Sequence, residues 1–283
     1  MNEQLGLSRS QTLAGRASAA DVFAVLPAGR FTWAIGAIHG EADRLVALHD
    51  RLATRIAPHD NLVYLGNFLG RGAQVAATAH EMLLFRRALL ARQLDGECGQ
   101  IVFLRGSQEE MWHKLLQLQF APSPAEVFQW MLARGVGSTI EAYGGDIQTG
   151  QRAVRRGAVV VSQWTNLLRA GMRALDGHDR LFSVLRRAAY TADRSLLLVS
   201  TGVDPSRPLT QQGDAFWWGS RSFEAMDAPY EDFARIVRGF DPQHRGLRTG
   251  AHVVSLDGAA GFGGSLVAGC FDEDGSVVDT IEV

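Results

Sequence analysis

Three short apolar runs, at residues 31–35, 61–65 and 101–104, each break into a glycine-bearing loop and then into a segment with helical spacing. That repeated order constrains the fold more than any other feature. A strand, a tight loop and a helix in succession must cross over and return parallel, so the early chain reads as a largely parallel sheet faced by helices. Leu45, Leu48 and Leu52 share one helical face within 41–56, residues 75–93 read as a long amphipathic helix, and 109–118 as a third. In such sheets ligands sit on the loops at the carboxyl ends of the strands.

The middle of the chain, about 120–190, reads as mostly helical. Pro122, Ser123 and Pro124 punctuate its entry before a helix at 125–133, and Gly144, Gly145 and Gly150 mark an open loop. Helices over 162–175 and 178–189 then lead to a strand at 195–200. The remainder is β-rich, with strands at 235–237, 252–256 and 265–271, a hairpin turn at Asp272-Glu273-Asp274-Gly275 and a final strand at 276–283. Residues 1–28 are small and polar and read as a tail or arm, and 29–283 read as one domain because no linker divides the core.

Composition narrows the function classes. With 46% hydrophobic and 20% charged residues the chain is globular, and a formal net charge of -2 gives no footprint for nucleic acid. No apolar run approaches the ~18–20 residues a membrane span needs, and the first residues lack the apolar segment of a secretory leader, so the expected location is the cytoplasm. Cys98 and Cys270 stand far apart with no metal-ligand spacing, as buried thiols do in a reducing compartment. Lys114 is the single lysine, and arginine, which supplies the other basic charges, suits oxyanion recognition.

Five glycine-bearing blocks end the strands: Gly36-Ala37-Ile38-His39-Gly40, Gly66-Asn67-Phe68-Leu69-Gly70-Arg71-Gly72, Arg105-Gly106-Ser107-Gln108-Glu109, Ser200-Thr201-Gly202-Val203-Asp204-Pro205 and Arg238-Gly239-Phe240-Asp241-Pro242. In order and spacing they resemble the signature of the calcineurin-like metallophosphoesterases, in the branch of bacterial serine/threonine protein phosphatases and symmetrical diadenosine tetraphosphatases. That family carries GDxHG, GDxxDRG, GNHE, HAG and GHT. Phe216-Trp217-Trp218, Leu256-Asp257 and Gly261-Phe262-Gly263-Gly264 resemble its further conserved stretches, so the resemblance spans about residues 31–275. It implies an α/β fold, a four-layer αββα sandwich of two mixed β-sheets, with a helical insertion around 120–190.

The resemblance also implies what is missing. The family's first aspartate ligand falls at Ala37, its metal-bridging aspartate at Asn67, its asparagine ligand at Ser107 and two histidine ligands at Ser200 and Phe240; only His39 keeps its type. The family's acid pair falls at Gln108 and Gly70. Two metals in this family acidify a bound water and clamp the attacking and leaving oxygens. An amide bridges dications poorly, and alanine and phenylalanine cannot ligate at all.

Three expectations follow. The leading one is a pseudophosphatase without catalytic residues or metal cofactor, kept as a binding or regulatory module. It would take a phosphate-containing or nucleotide ligand at a candidate oxyanion site of Arg71, Arg105 and His39, or a protein partner in a homo- or hetero-oligomer. The alternative for the two arginines is ion pairing with carboxylates such as Glu109. The second expectation is a remodelled metal-dependent protein phosphatase or dinucleoside polyphosphate hydrolase, with one Mn, Fe or Zn at His39 assisted by Asp204, Asp241 or Glu109. The third is a structural interaction protein whose old pocket is filled by Phe240, Phe68 and Leu69. Trp217 and Trp218 are candidates for core packing or for stacking a base.

Overall fold

The computed structural model describes residues 22–92 and 99–283. Its strands are β1 (Phe23–Leu26), β2 (Thr32–Ile35), β3 (Asn61–Tyr64), β4 (Ile101–Phe103), β5 (Ala188–Thr191), β6 (Leu196–Val199), β7 (Arg235–Arg238), β8 (Arg248–Thr249), β9 (Val253–Ser255), β10 (Val267–Phe271) and β11 (Val277–Glu282). They form two mixed sheets. The first has the order β11-β10-β2-β3-β4, with β2, β3 and β4 parallel and β10 antiparallel to both its neighbours. The second has the order β1-β5-β6-β7-β9-β8.

Side-chain alternation explains the layering. Successive residues of a strand point to opposite faces, and here both faces are dry. In β2, Trp33 and Ile35 enter a core shared with the helices, whereas Ala34 enters the core between the sheets; in β3, Tyr64 and Val63 divide in the same way. In β6, Leu196 and Leu198 face the other sheet while Leu197 and Val199 face a third core. Three apolar cores separate four layers, which is the expected αββα sandwich.

Against the first sheet lie α1 (Ala42–Ala53), α2 (Val75–Ala91) and α3 (Ser107–Leu115), with Leu45, Leu48 and Leu52 fully buried as the helical spacing predicts. The helical insertion follows: α4 (Pro124–Leu132), α5 (Val136–Ala142), α6 (Ile147–Arg156), α7 (Ala158–Arg173) and α8 (His178–Ser183). The outer face of the second sheet is covered by short elements, α9 (Ala215–Trp218) and α10 (Arg221–Glu224), which bring Phe216, Trp217 and Phe223 onto it.

The structure departs from the sequence reading in three places. Gly150 lies inside α6 rather than in an open loop. A Cβ there would come within 2.6 Å of the Trp164 ring, so the glycine permits close helix packing instead of a turn. The helix expected over 178–189 stops at Ser183, because Ala188–Thr191 pairs with both β1 and β6. Within the expected tail, Phe23–Leu26 forms an edge strand in register with Ala188–Thr191. Residues 1–21 and Cys98 lie outside the described residues.

Candidate functional site

The loops after β2, β3, β6 and β7 are laced together by their own backbones. Ile38 and His39 donate to the Asn67 carbonyl at 3.0 and 2.7 Å, Ala37 donates to Gly239 at 2.9 Å, and Gly239 and Phe240 both donate to Ser200 at 3.0 and 2.9 Å. Glu109, at the start of α3, ties in the loop after β4. Its carboxylate accepts from the backbone N–H groups of Leu69 (3.0 Å), Asn67 (2.8 Å) and Gly106 (2.7 Å). Burial raises its pKa, and those three donors pull the other way.

Inside this cage most of the polar groups bond one another, while Gln108 Oε1 has no partner among the described residues. Asn67 Oδ1 accepts from the Ser107 hydroxyl and from the Gln108 backbone N–H, both at 3.0 Å. Asn67 Nδ2 donates to Ser200 Oγ at 3.4 Å. Gln108 Nε2 turns away to the Arg134 carbonyl, at 2.9 Å. Gly70 leaves the room this needs, since a Cβ at residue 70 would stand 2.2 Å from Gln108 Oε1. Every member of the network is neutral and buried, so none bears an uncompensated charge.

Beside the network lies an aromatic cluster. The His39 ring meets Phe240 and Phe262 edge-on, at centroid distances of 5.5 and 5.4 Å. Phe262 packs in turn on His244 at 3.9 Å, and the Arg71 guanidinium covers its ring at 3.9 Å. Neither His39 nitrogen has a hydrogen-bond partner among the described residues. Burial and the Arg71 charge push the His39 pKa down to about 3. It is therefore a neutral imidazole at physiological pH.

The candidate oxyanion residues are not equivalent. Arg71 is half-buried; its backbone is held by Gly135 and Ser138 of the helical insertion, and its Nε has no partner among the described residues. Arg105 pairs with Glu110 at 3.1 Å, not with Glu109, whose oxygens are taken by the backbone. Trp217 is core, whereas Trp218 is 37% exposed and packs against Trp130. Phe68 and Leu69 are fully buried.

An ionic cluster that the sequence reading did not foresee lies on the second sheet's side. Asp241 joins Arg238 (3.0 Å) to Arg245 (2.7 Å), and Asp257 accepts from the Asp241 backbone and contacts His244 Nδ1, both at 2.9 Å. Burial would raise the Asp241 pKa, but the Arg245 bond, the Gln243 N–H and Arg238 together hold it below the usual range. The available signal was the i, i+3 and i, i+4 spacing of arginines about Asp241.

Neither a family model nor a curated protein sequence matches the chain. Among solved structures, a candidate diadenosine tetraphosphatase aligns over 92% of this chain and 97% of its own, with a TM-score of 0.57 at 15% identity. The fold is that of the calcineurin-like metallophosphoesterases. A cold-active protein tyrosine phosphatase (91% of this chain, 79% of its own, TM-score 0.48, 14% identity) and a metallophosphoesterase from Sphaerobacter thermophilus (90% and 88%, 0.43, 14%) align more loosely. At these identities the likeness concerns the fold alone.

A dinuclear centre needs anionic or imidazole donors converging on two points. Here the Asn67 side chain is an amide whose oxygen is already bonded to two donors, and Phe240 sets its ring against His39. The single-metal alternative fares no better. Glu109 is spent on backbone N–H groups, Asp241 on two arginines, and Asp204 on Ser206 and Arg207. Among the described residues no three His, Cys, Asp or Glu side chains gather so as to hold a metal ion. These donors therefore do not fit one Mn, Fe or Zn at His39. Among the described residues, too, no helix is long and apolar enough to cross a membrane.

Proposed function

We propose that this chain is a pseudophosphatase: a metallophosphoesterase fold that works as a binding or regulatory module rather than as a phosphoesterase. One observation carries the reading. Asn67 Oδ1, at the position of the metal-bridging oxygen, accepts two hydrogen bonds from Ser107 and Gln108, which stand at the positions of a ligand and the acid. With these atoms bonded to each other, nothing at the site activates a water or offsets the charge on a phosphoryl group. The ligand class is a phosphate-containing molecule or a protein partner. Any oxyanion role in the loop pocket falls first to Arg71, because His39 is neutral and Arg105 is paired.

The test is metal analysis of the purified chain, with turnover assays in manganese on p-nitrophenyl phosphate, a phosphopeptide and diadenosine tetraphosphate. The expected result is substoichiometric metal and no turnover. Two metals per chain, or turnover abolished by a chelator, would overturn the proposal.

A further inference from the structure

Arginines also gather outside the five loops. A cleft of about 770 Å3 opens between α2, α8 and the edge strands β1 and β4. Among the described residues its lining includes Arg86, Arg87, Arg180 and Arg186 and the carboxylate of Asp176. The whole chain has a net charge of -2, so a local excess of this size does not follow from composition.

The arginines are held on separate elements that face one another. Arg86 and Arg87 sit on the last turns of α2 and Arg180 on α8. Arg186 is fixed by its backbone, which donates to Phe103 and accepts from Arg105 at 2.9 and 2.8 Å. Asp176 is met by Arg87 at 2.8 Å, but that pair is exposed on both sides, so water and salt already weaken it and an incoming anion can compete. Between the charged walls the lining is apolar, with Leu83, Phe103, Leu181 and Val184. Cationic forks around an apolar floor, in a volume within the ~300–1,000 Å3 typical of small-molecule sites, suit a ligand that joins a phosphate chain to an uncharged body.

We propose that this cleft binds a phosphate-bearing small molecule of nucleotide size, at a site separate from the loop pocket. The cleft takes Gln100 from the entrance of β4, whereas the loop pocket begins at the exit of the same strand. His39, Asn67, Arg71, Ser200 and Phe240 do not line it. Arg86, Arg87 and Arg180 bind the phosphates as bidentate donors and the apolar floor takes the remainder. The two sites share none of these lining residues, though the Arg186 carbonyl accepts from Arg105, and the cleft needs no metal.

The experiment is calorimetric titration of the full chain with ATP, pyrophosphate and adenosine, repeated for Arg86→Glu, Arg180→Glu and Arg71→Ala. Arg86 and Arg180 are exposed helix positions, so charge reversal leaves the ligand-free melting temperature near that of wild type, which is checked first. ATP and pyrophosphate are expected to bind saturably, more weakly as salt rises, with adenosine weaker by about tenfold or more. Each charge reversal is expected to weaken ATP by about tenfold or more, and Arg71→Ala to leave it within about twofold. Absence of saturable binding by wild type, or binding indifferent to both reversals, sinks the proposal. Loss of ATP binding in Arg71→Ala alone places the anion in the loop pocket and also sinks it, while leaving the pseudophosphatase reading intact. Turnover of ATP in manganese would remove that reading and leave the cleft standing.

Discussion

The loops of the first sheet and those of the second are tied together by backbone hydrogen bonds but handle charge in opposite ways. Around Asn67 the first sheet's loops bury amides and hydroxyls bonded to one another. Around Asp241 the second sheet's loops bury a full ionic cluster, with Asp241 and Asp257 at 0% and 1% exposure and both supplied with partners from the same chain. The difference teaches a rule. A buried charge persists here where the polypeptide itself compensates it, and elsewhere among these loops the buried polar groups are neutral. Glu109 obeys the rule too, compensated by three backbone donors.

Asp241→Ala should strain the comparison most. It removes the carboxylate paired with Arg238, which is 3% exposed and keeps its bond to Ser255 Oγ at 3.2 Å, and a loss of about 3 kcal/mol in urea denaturation is expected. A loss below about 1 kcal/mol would show that the cluster is not compensating anything. Because the Asp241 pKa is depressed in the folded state, its contribution is present above the ordinary aspartate range and is lost as pH falls through the folded value.

Asn67→Asp attacks the neutral side by putting an uncompensated carboxylate into the network. About 2–3 kcal/mol of destabilisation at neutral pH is expected, with no recovery on adding manganese. A rise of several degrees in melting temperature with manganese, roughly 1 kcal/mol or more, would mean that a cation still fits the pocket.

His39 gives the third handle. Its folded pKa of about 3 lies below its ordinary 6.5, so the unfolded chain takes up a proton that the folded chain refuses. Stability should be fully present above pH 6.5 and fall as pH drops toward 3, with His39 contributing about 1.4 kcal/mol per pH unit. His39→Phe should flatten that slope without abolishing it, because buried His49 is also shifted down, by burial. A slope unchanged in the variant would refute the assignment.

The smallest effect belongs to Arg105→Ala. Its pair with Glu110 is partly exposed, so a loss under about 1 kcal/mol is expected. A larger one would move Arg105 from the rim into the compensated set.

Much of this was legible beforehand because it is carried by local pattern. The runs before the loops, the leucines of α1 and the turn at 272–275 each follow from periodicity or turn chemistry, and the order of the five blocks carried the layer architecture. What was not legible depended on contacts between distant segments. Nothing in Phe23–Leu26 announces a partner at Ala188–Thr191. Gly150 reads as a breaker until Trp164 is known to lie against it. At the site, the loop residues could be named from the blocks, but that Gln108 fills the space left by Gly70, or that Phe262 meets His39 edge-on while Arg71 covers its ring, required the loops to be brought together.

The strand order also has a consequence for the making of the protein. The parallel trio β2, β3 and β4 is complete by residue 103, yet the other edge of β2 waits for β10, with Ile35 opposite Ala268. In the second sheet β1 waits for β5. Such distant pairings make folding slow, since long loops must close before any contact rewards them. A nascent chain leaving the ribosome therefore presents an open apolar strand edge through most of its synthesis, the condition in which chaperones are needed and aggregation competes. Among the described strands, the two made last, Val267–Phe271 and Val277–Glu282, are the ones that close it.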